Sequence, residues 1–191
     1  MKKILIAVFV AAVSLSANAQ VWVSGQLGFN TSRTSFDGHT LEKGRNFTIA
    51  PEIGYKLTDN IDVAVQIGYA HAKNSTLFNS DLGIDQDFTA NGFQVAPYLR
   101  YSFAKAGDFS FFVDGGFGYA LIHVNGYDKS AHIWEIALKP GVSYALSDTF
   151  GLVAHVGNIG WQYGKFDKTK INSVGVNANL NTISFGAYVN L

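Results

Sequence analysis

The chain has 191 residues, which is enough for one domain, and its 14 basic residues balance 14 acidic ones. A neutral chain lacks the concentrated basic face of a nucleic-acid-binding protein, so we expect no nucleic-acid partner. It contains no cysteine, which excludes a disulfide framework and a lipoprotein acylated on a cysteine after its cleavage site.

The first residues have the three parts of a secretory signal peptide. Lys2 and Lys3 give a positive start, residues 4–15 form an apolar run interrupted only by Ser14, and Ala-Asn-Ala at 17–19 is a cleavage pattern. The run is shorter than the about 20 residues that a membrane-spanning helix needs. We predict that residues 1–19 are removed and that residues 20–191 form one exported β-domain.

Beyond residue 19, apolar and polar residues alternate with a period of two, which predicts eight β-strands. The predicted strands are 21–30, 47–57, 61–70, 93–103, 109–121, 134–146, 150–161 and 181–191. Short polar turns at 58–60, 104–108 and 147–149 close hairpins, whereas 31–46, 71–92, 122–133 and 162–180 read as long loops. Short turns at one end and long loops at the other are typical of an outer-membrane barrel with both termini in the periplasm. The predicted fold is therefore an all-β, eight-stranded antiparallel up-and-down transmembrane barrel.

The apolar face of these strands decides between a soluble barrel and a membrane barrel. Aromatic residues lie at both of its ends, as in the girdles of membrane barrels. One group is Tyr55, Tyr101, Phe103, Phe109, Tyr144 and Phe150; the other is Phe29, Phe47, Tyr69, Phe93, Tyr119, Trp134 and Trp161. The opposite face mixes charges with Gly, Ala and Ser, which fit a narrow eight-stranded interior. We therefore expect the apolar face to meet lipid.

The polar face predicts what fills the barrel. The expected interior plug consists of Glu52, Gln66, Gln94, Arg100, Asp114, Glu135, Lys139 and His155. Unpaired charges would be costly there, so we expect ion pairs and hydrogen bonds among these side chains. Lys56 and Asp62 should pair across the first turn. The alternative use of the same residues is a gated ion or proton pathway.

The three prolines of the chain, Pro51, Pro97 and Pro140, recur in a Pro-x-apolar-x-Tyr pattern. Proline removes a ladder hydrogen-bond donor, so its recurrence inside strands predicts a bulge or bend at each site.

The segment that begins at His155 resembles a catalytic motif. Lipid A deacylases of the membrane-barrel type carry a His-x-Ser-Asn pattern, which His155-Val156-Gly157-Asn158 resembles. Gly157 occupies the nucleophile position and has no hydroxyl, so we expect no enzyme. The remaining histidines, His39, His71, His123 and His132, have no metal-ligand spacing, and we expect neither metal nor cofactor.

The C-terminal segment 184–191 carries the most specific motif. Ser184, Gly186, Val189 and Leu191 fit the polar-x-Gly-x-x-apolar-x-apolar signal of outer-membrane barrel assembly, although the family usually ends in an aromatic residue. With its signal peptide and eight strands, residues 20–191 resemble the small barrels of the OmpA-transmembrane/OmpX-like family. The OmpA-type peptidoglycan-binding domain is not expected, because the sequence ends with the last strand.

This resemblance implies a bacterial outer-membrane location, outer-membrane lipids and lipopolysaccharide as surroundings, and recognition of the last strand by the barrel-assembly machinery. It implies a monomer with a structural, adhesion or defence role through its extracellular loops. The alternative is a narrow porin-like channel for ions or small solutes, and a lipid-modifying barrel enzyme ranks third. The surface ligand of the loops is not indicated by any residue.

Overall fold

The computed structural model describes residues 20–36, 39–76, 86–126, 129–177 and 184–191. Within these ranges there are ten strands: β1 Val21–Phe36, β2 His39–Lys56, β3 Ile61–Thr76, β4 Gln86–Ala106, β5 Phe109–Val124, β6 Ser130–Ala145, β7 Phe150–His155, β8 Asn158–Phe166, β9 Thr169–Asn177 and β10 Ser184–Asn190. The same ranges contain no helix long and apolar enough to cross a membrane.

The ten strands form one closed ring. Strands β1 to β6 pair in sequence, β6 pairs with both β7 and β8, and β10 pairs with β7 and β1. All pairings are antiparallel, and β8 and β9 form a hairpin. Because β7 and β8 lie end to end against β6, and β10 and β9 flank them in turn, the ten segments make eight barrel strands. The predicted all-β, eight-stranded antiparallel barrel is confirmed.

The strands are longer than the alternation predicted. β1 and β2 pair continuously up to Phe36 and His39, and β4 extends over 21 residues. The prediction of long loops was therefore wrong, since most of the described residues in these regions belong to paired hairpins. The regions are 31–46, 71–92, 122–133 and 162–180. In the β1–β2 hairpin the residues beyond Phe29 and before Phe47 are mostly polar, so the ladder continues where the alternation has ended. Residues 181–183 of the predicted last strand lie outside the described residues.

The two faces of the wall differ as predicted. Leu27 is 70% exposed and Phe29 is 74% exposed on the outside, whereas Phe112 is 1% exposed and Val153 is 2% exposed on the inside. The core of this barrel is thus its lumen. We call the end with the short turns 57–60, 107–108 and 146–149 the turn end, and the opposite end the hairpin end.

The proline sites have two different geometries. At Pro51 and Pro97 the ladder to one neighbour is interrupted but resumes in the same register, so of the predicted bulge or bend the bulge is absent there. At Pro140 the neighbouring strand changes register by one residue between the pairs Leu138↔Ile159 and Gly141↔His155, and this is a bulge. Because proline has no amide donor, the ladder is interrupted at Pro51 and Pro97. The bulge lies on the strand opposite Pro140, where the Val156 amide donates to the Pro140 carbonyl at 2.9 Å.

Candidate functional site

The candidate site is the barrel interior, and its centre is a buried ion pair. Arg100 on β4 and Asp114 on β5 are direct cross-strand partners. The Arg100 Nε and Nη2 atoms donate to the two Asp114 oxygens, each at 2.8 Å, and their side chains are only 9% and 6% exposed. His155 Nε2 lies 2.7 Å from the same carboxylate. This fork geometry satisfies a buried charge that would be costly alone.

Three aromatic rings surround the guanidinium. The Arg100 Cζ atom lies 4.0 Å from the Phe112 ring centroid, 5.1 Å from that of Trp22 and 5.7 Å from that of Tyr98. We call Trp22, Arg100, Phe112, Asp114 and His155 the central layer. Sequence reasoning missed Trp22 and Phe112, although the parity of their strands places them on the same inward face as Gln26 and Asp114.

A second cluster lies around Glu52. One oxygen of Glu52 accepts hydrogen bonds from Tyr98 at 2.9 Å and from Gln66 at 3.3 Å. Its other oxygen is buried without a hydrogen-bond partner, as is the hydroxyl of its cross-strand neighbour Ser24. Glu52 therefore belongs to a hydrogen-bonded cluster that adjoins the Arg100 pair through Tyr98.

The other residues of the expected plug are more dispersed. Lys139 pairs with Glu135 of its own strand at 2.7 Å, and both side chains are partly accessible. Gln94 lines a cavity closer to the hairpin end, and Gln66 lines that cavity too. The ion pairs and hydrogen bonds among these side chains thus fall into three groups: Arg100–Asp114–His155, Glu52–Gln66 and Glu135–Lys139. Tyr98 links the first two.

The expected ion pair between Lys56 and Asp62 is not formed. The two residues are direct cross-strand partners, but no salt bridge joins these two described side chains. Asp62 instead accepts a hydrogen bond from the Trp22 indole at 3.2 Å. The predicted register between β2 and β3 is thus correct, but the hydrogen-bond partner of the Asp62 carboxylate is the inward-facing Trp22.

The central layer separates two polar cavities. A cavity of about 240 Å³ lies on the hairpin side and is lined by Glu52, Gln66 and His155 among others. A cavity of about 130 Å³ lies on the turn side and is lined by Lys56 and Asp62, among others. The two cavities share no lining residue. The central layer therefore lies at the boundary between the two cavities: Trp22, Arg100 and Phe112 line the turn-side one, and Asp114 and His155 line the hairpin-side one.

The proposed C-terminal signal lies on the strand that closes the ring. On β10, Val189 faces both Val23 and Phe150, and the Leu191 amide donates to the Val21 carbonyl at 2.9 Å. A side chain at Gly186 would place its Cβ 2.7 Å from the Gly25 carbonyl oxygen. Ser184 is partly buried opposite His155 and lines the hairpin-side cavity.

The segment after His155 has a structural explanation. Gly157 has a φ of 68° and lies at the bulge between β7 and β8. That left-handed conformation favours glycine, and glycine carries no nucleophile. Within the described ranges, no three His, Asp or Glu side chains are grouped so that they could hold a metal ion.

Comparison with known proteins agrees with this geometry. Residues 5–189 match the model of the outer membrane protein beta-barrel domain family. Neisserial surface protein A (NspA) is similar in structure, with a TM-score of 0.52 at 18% identity over 90% of this chain and 97% of that one. OprG from Pseudomonas aeruginosa also gives 0.52, at 12% identity over 90% and 97%. No curated protein matches the sequence. The chain belongs to the outer membrane protein beta-barrel domain family.

Proposed function

We propose that this chain is a non-enzymatic integral outer-membrane barrel with a closed interior, which serves as a scaffold for its hairpins. Both termini and the turns would face the periplasm, and the hairpin end would face the cell exterior. The observation that carries the proposal is the central layer. Arg100, Asp114 and His155 are joined by contacts of 2.7–2.8 Å between the two cavities.

The surface role follows from where polar surface is available. The hairpins extend past the apolar belt, and loops or hairpins on a rigid scaffold commonly carry binding functions. The membrane-facing wall and the filled lumen offer less opportunity for a soluble partner. A structural, adhesion or defence role at the cell surface is therefore our leading proposal.

The runner-up is a narrow channel, which one observation favours. The polar cavities on either side of the central layer would form a continuous path if that layer moved. A solute-flux assay separates the two roles: liposomes containing the folded protein should swell in small sugars and salts no faster than empty ones. Swelling that rises with the amount of folded protein would favour the channel.

A lipid-modifying enzyme ranks third, because Gly157 lacks a nucleophile. The acyl chains of lipid A should be identical in cells with and without the gene. A change in acyl composition that depends on His155 would contradict the non-enzymatic proposal.

The proposed orientation can be tested directly, because the chain has no cysteine. Lys168→Cys places a thiol in the β8–β9 turn, and Asp148→Cys places one in the turn before β7. A membrane-impermeant maleimide added to intact cells should label the first and spare the second. The reverse pattern would overturn the orientation.

A further inference from the structure

The outer wall near the hairpin end has an ordered chemical gradient on β6, β8 and β9. Direct cross-strand partners share a face, so the registers define three rows. The lowest is Ile136–Trp161–Val174, the next is Trp134–Tyr163–Asn172, and the third is His132–Lys165–Lys170. Ile136 is 56% exposed and Val174 is 81% exposed, which places this face outside the barrel.

Neighbouring aromatic side chains on β6 and β8 form a connected aromatic surface. Trp134 stacks near His132 at 6.0 Å and contacts Tyr163 at 5.5 Å, and Tyr163 lies 6.3 Å from Trp161. Aromatic side chains are characteristic of the membrane–water interface. Because two residues along a strand rise about 7 Å, the cationic row lies one step above that interface, at headgroup height.

The cationic row contains an unfavourable pairing. Lys165 and Lys170 are directly opposite each other, an arrangement that destabilises a sheet. Neither forms a salt bridge with a carboxylate of the described residues. An anion bound between the two ammonium groups would remove the repulsion and gain charge-assisted hydrogen bonds.

A groove adjoins this row, and its lining residues indicate which kind of ligand would fit. It measures about 580 Å³ and is lined by Lys129, Ser130, His132, Trp134, Lys165 and Asp167. Lys129 pairs with Asp167. The groove thus offers the Lys165 cation, the Lys129–Asp167 pair and the Ser130 hydroxyl beside the Trp134 ring. Phosphate fits the cations, ring hydroxyls fit Asp167 and Ser130, and the apolar face of a sugar fits Trp134.

We propose that this groove and the Lys165–Lys170 pair bind the phosphorylated saccharide headgroup of an outer-leaflet glycolipid, with its acyl chains along the lower rows. Lipid A is the test ligand. The inference rests on the proposed orientation for its role in cells, since only then does this row face the outer leaflet. Binding in micelles does not depend on that orientation.

The binding test uses the folded full-length domain in zwitterionic micelles titrated with lipid A. Each surface lysine contributes enough attraction to an anionic lipid for Lys165→Gln or Lys170→Gln to weaken binding about fivefold, and the double variant about 25-fold. Lys105→Gln, an exposed lysine at the turn end, is the matched control and should bind as the parent does. Unchanged binding by the double variant would overturn the proposal.

Two further measurements sharpen the test. Without lipid A, Lys165→Gln should unfold at the parent's temperature or above it, because like-charge repulsion is removed; with lipid A, it should unfold below the parent. Equal affinity for phosphatidylglycerol and lipid A would overturn the saccharide assignment. If the Lys168→Cys label fails while lipid A binding is lost in the double variant, the orientation fails and the site stands.

Discussion

Removing the Arg100 side chain is the perturbation for which the structure gives the clearest magnitude. Arg100→Ala deletes both 2.8 Å contacts to Asp114 and the ring contacts with Phe112 and Trp22. The Asp114 side chain is only 6% exposed, and its carboxylate then keeps only the contact with His155. The cost of burying its negative charge is therefore only partly offset. Breaking a buried pair by removing one partner typically costs about 3–5 kcal/mol. We expect a loss of about 3 kcal/mol, because His155 still contacts the carboxylate.

Equilibrium urea unfolding of the protein folded into lipid vesicles measures this loss, with the folded fraction read from heat-modifiable gel migration. Lys139→Ala is the matched control, because its pair with Glu135 is more accessible, with side-chain exposures of 36% and 24%. An accessible pair contributes at most about 1 kcal/mol. Arg100→Met combined with Asp114→Leu should cost less than the sum of the two single variants. Equal effects of Arg100→Ala and Lys139→Ala would refute the reasoning.

Two other substitutions test the packing and the faces of the wall. Gly116→Ala should lower the unfolding midpoint, because its Cβ would lie 2.6 Å from the Pro97 carbonyl oxygen, whereas Gly118→Ala, with its nearest atom at 3.5 Å, should be tolerated; equal midpoints would contradict the interior packing. Ile67→Arg on the lipid face should cost about 2–4 kcal/mol in vesicle-based unfolding if this site is near mid-membrane, and Leu146→Arg in a turn about 0–1 kcal/mol; a harmless Ile67→Arg would place that face away from lipid.

The architecture could be predicted from the sequence because a barrel wall imposes one simple rule. Apolar residues such as Leu27 and Phe29 alternate with polar ones along each strand, and that alternation fixes both the strand and its outward face. The same rule fails at the hairpin end, where β1 and β2 remain paired without an apolar face. Strand ends were therefore the poorest part of the prediction.

The interior was predictable in composition but not in connectivity. Parity alone puts Arg100 and Asp114 in the lumen, yet their bidentate pairing depends on the register between β4 and β5. Trp22 was overlooked because an apolar residue among inward polar ones has no signal of its own. Its indole contacts Arg100 and donates a hydrogen bond to one oxygen of Asp62.

The closed lumen is tested most directly by recording current across a planar bilayer that contains the folded protein. The central layer of Trp22, Arg100, Phe112, Asp114 and His155 predicts no steady open state in the parent. A stable ohmic conductance in the parent that is lost or altered on substituting Arg100 or Glu52 would contradict the account and make the barrel a channel.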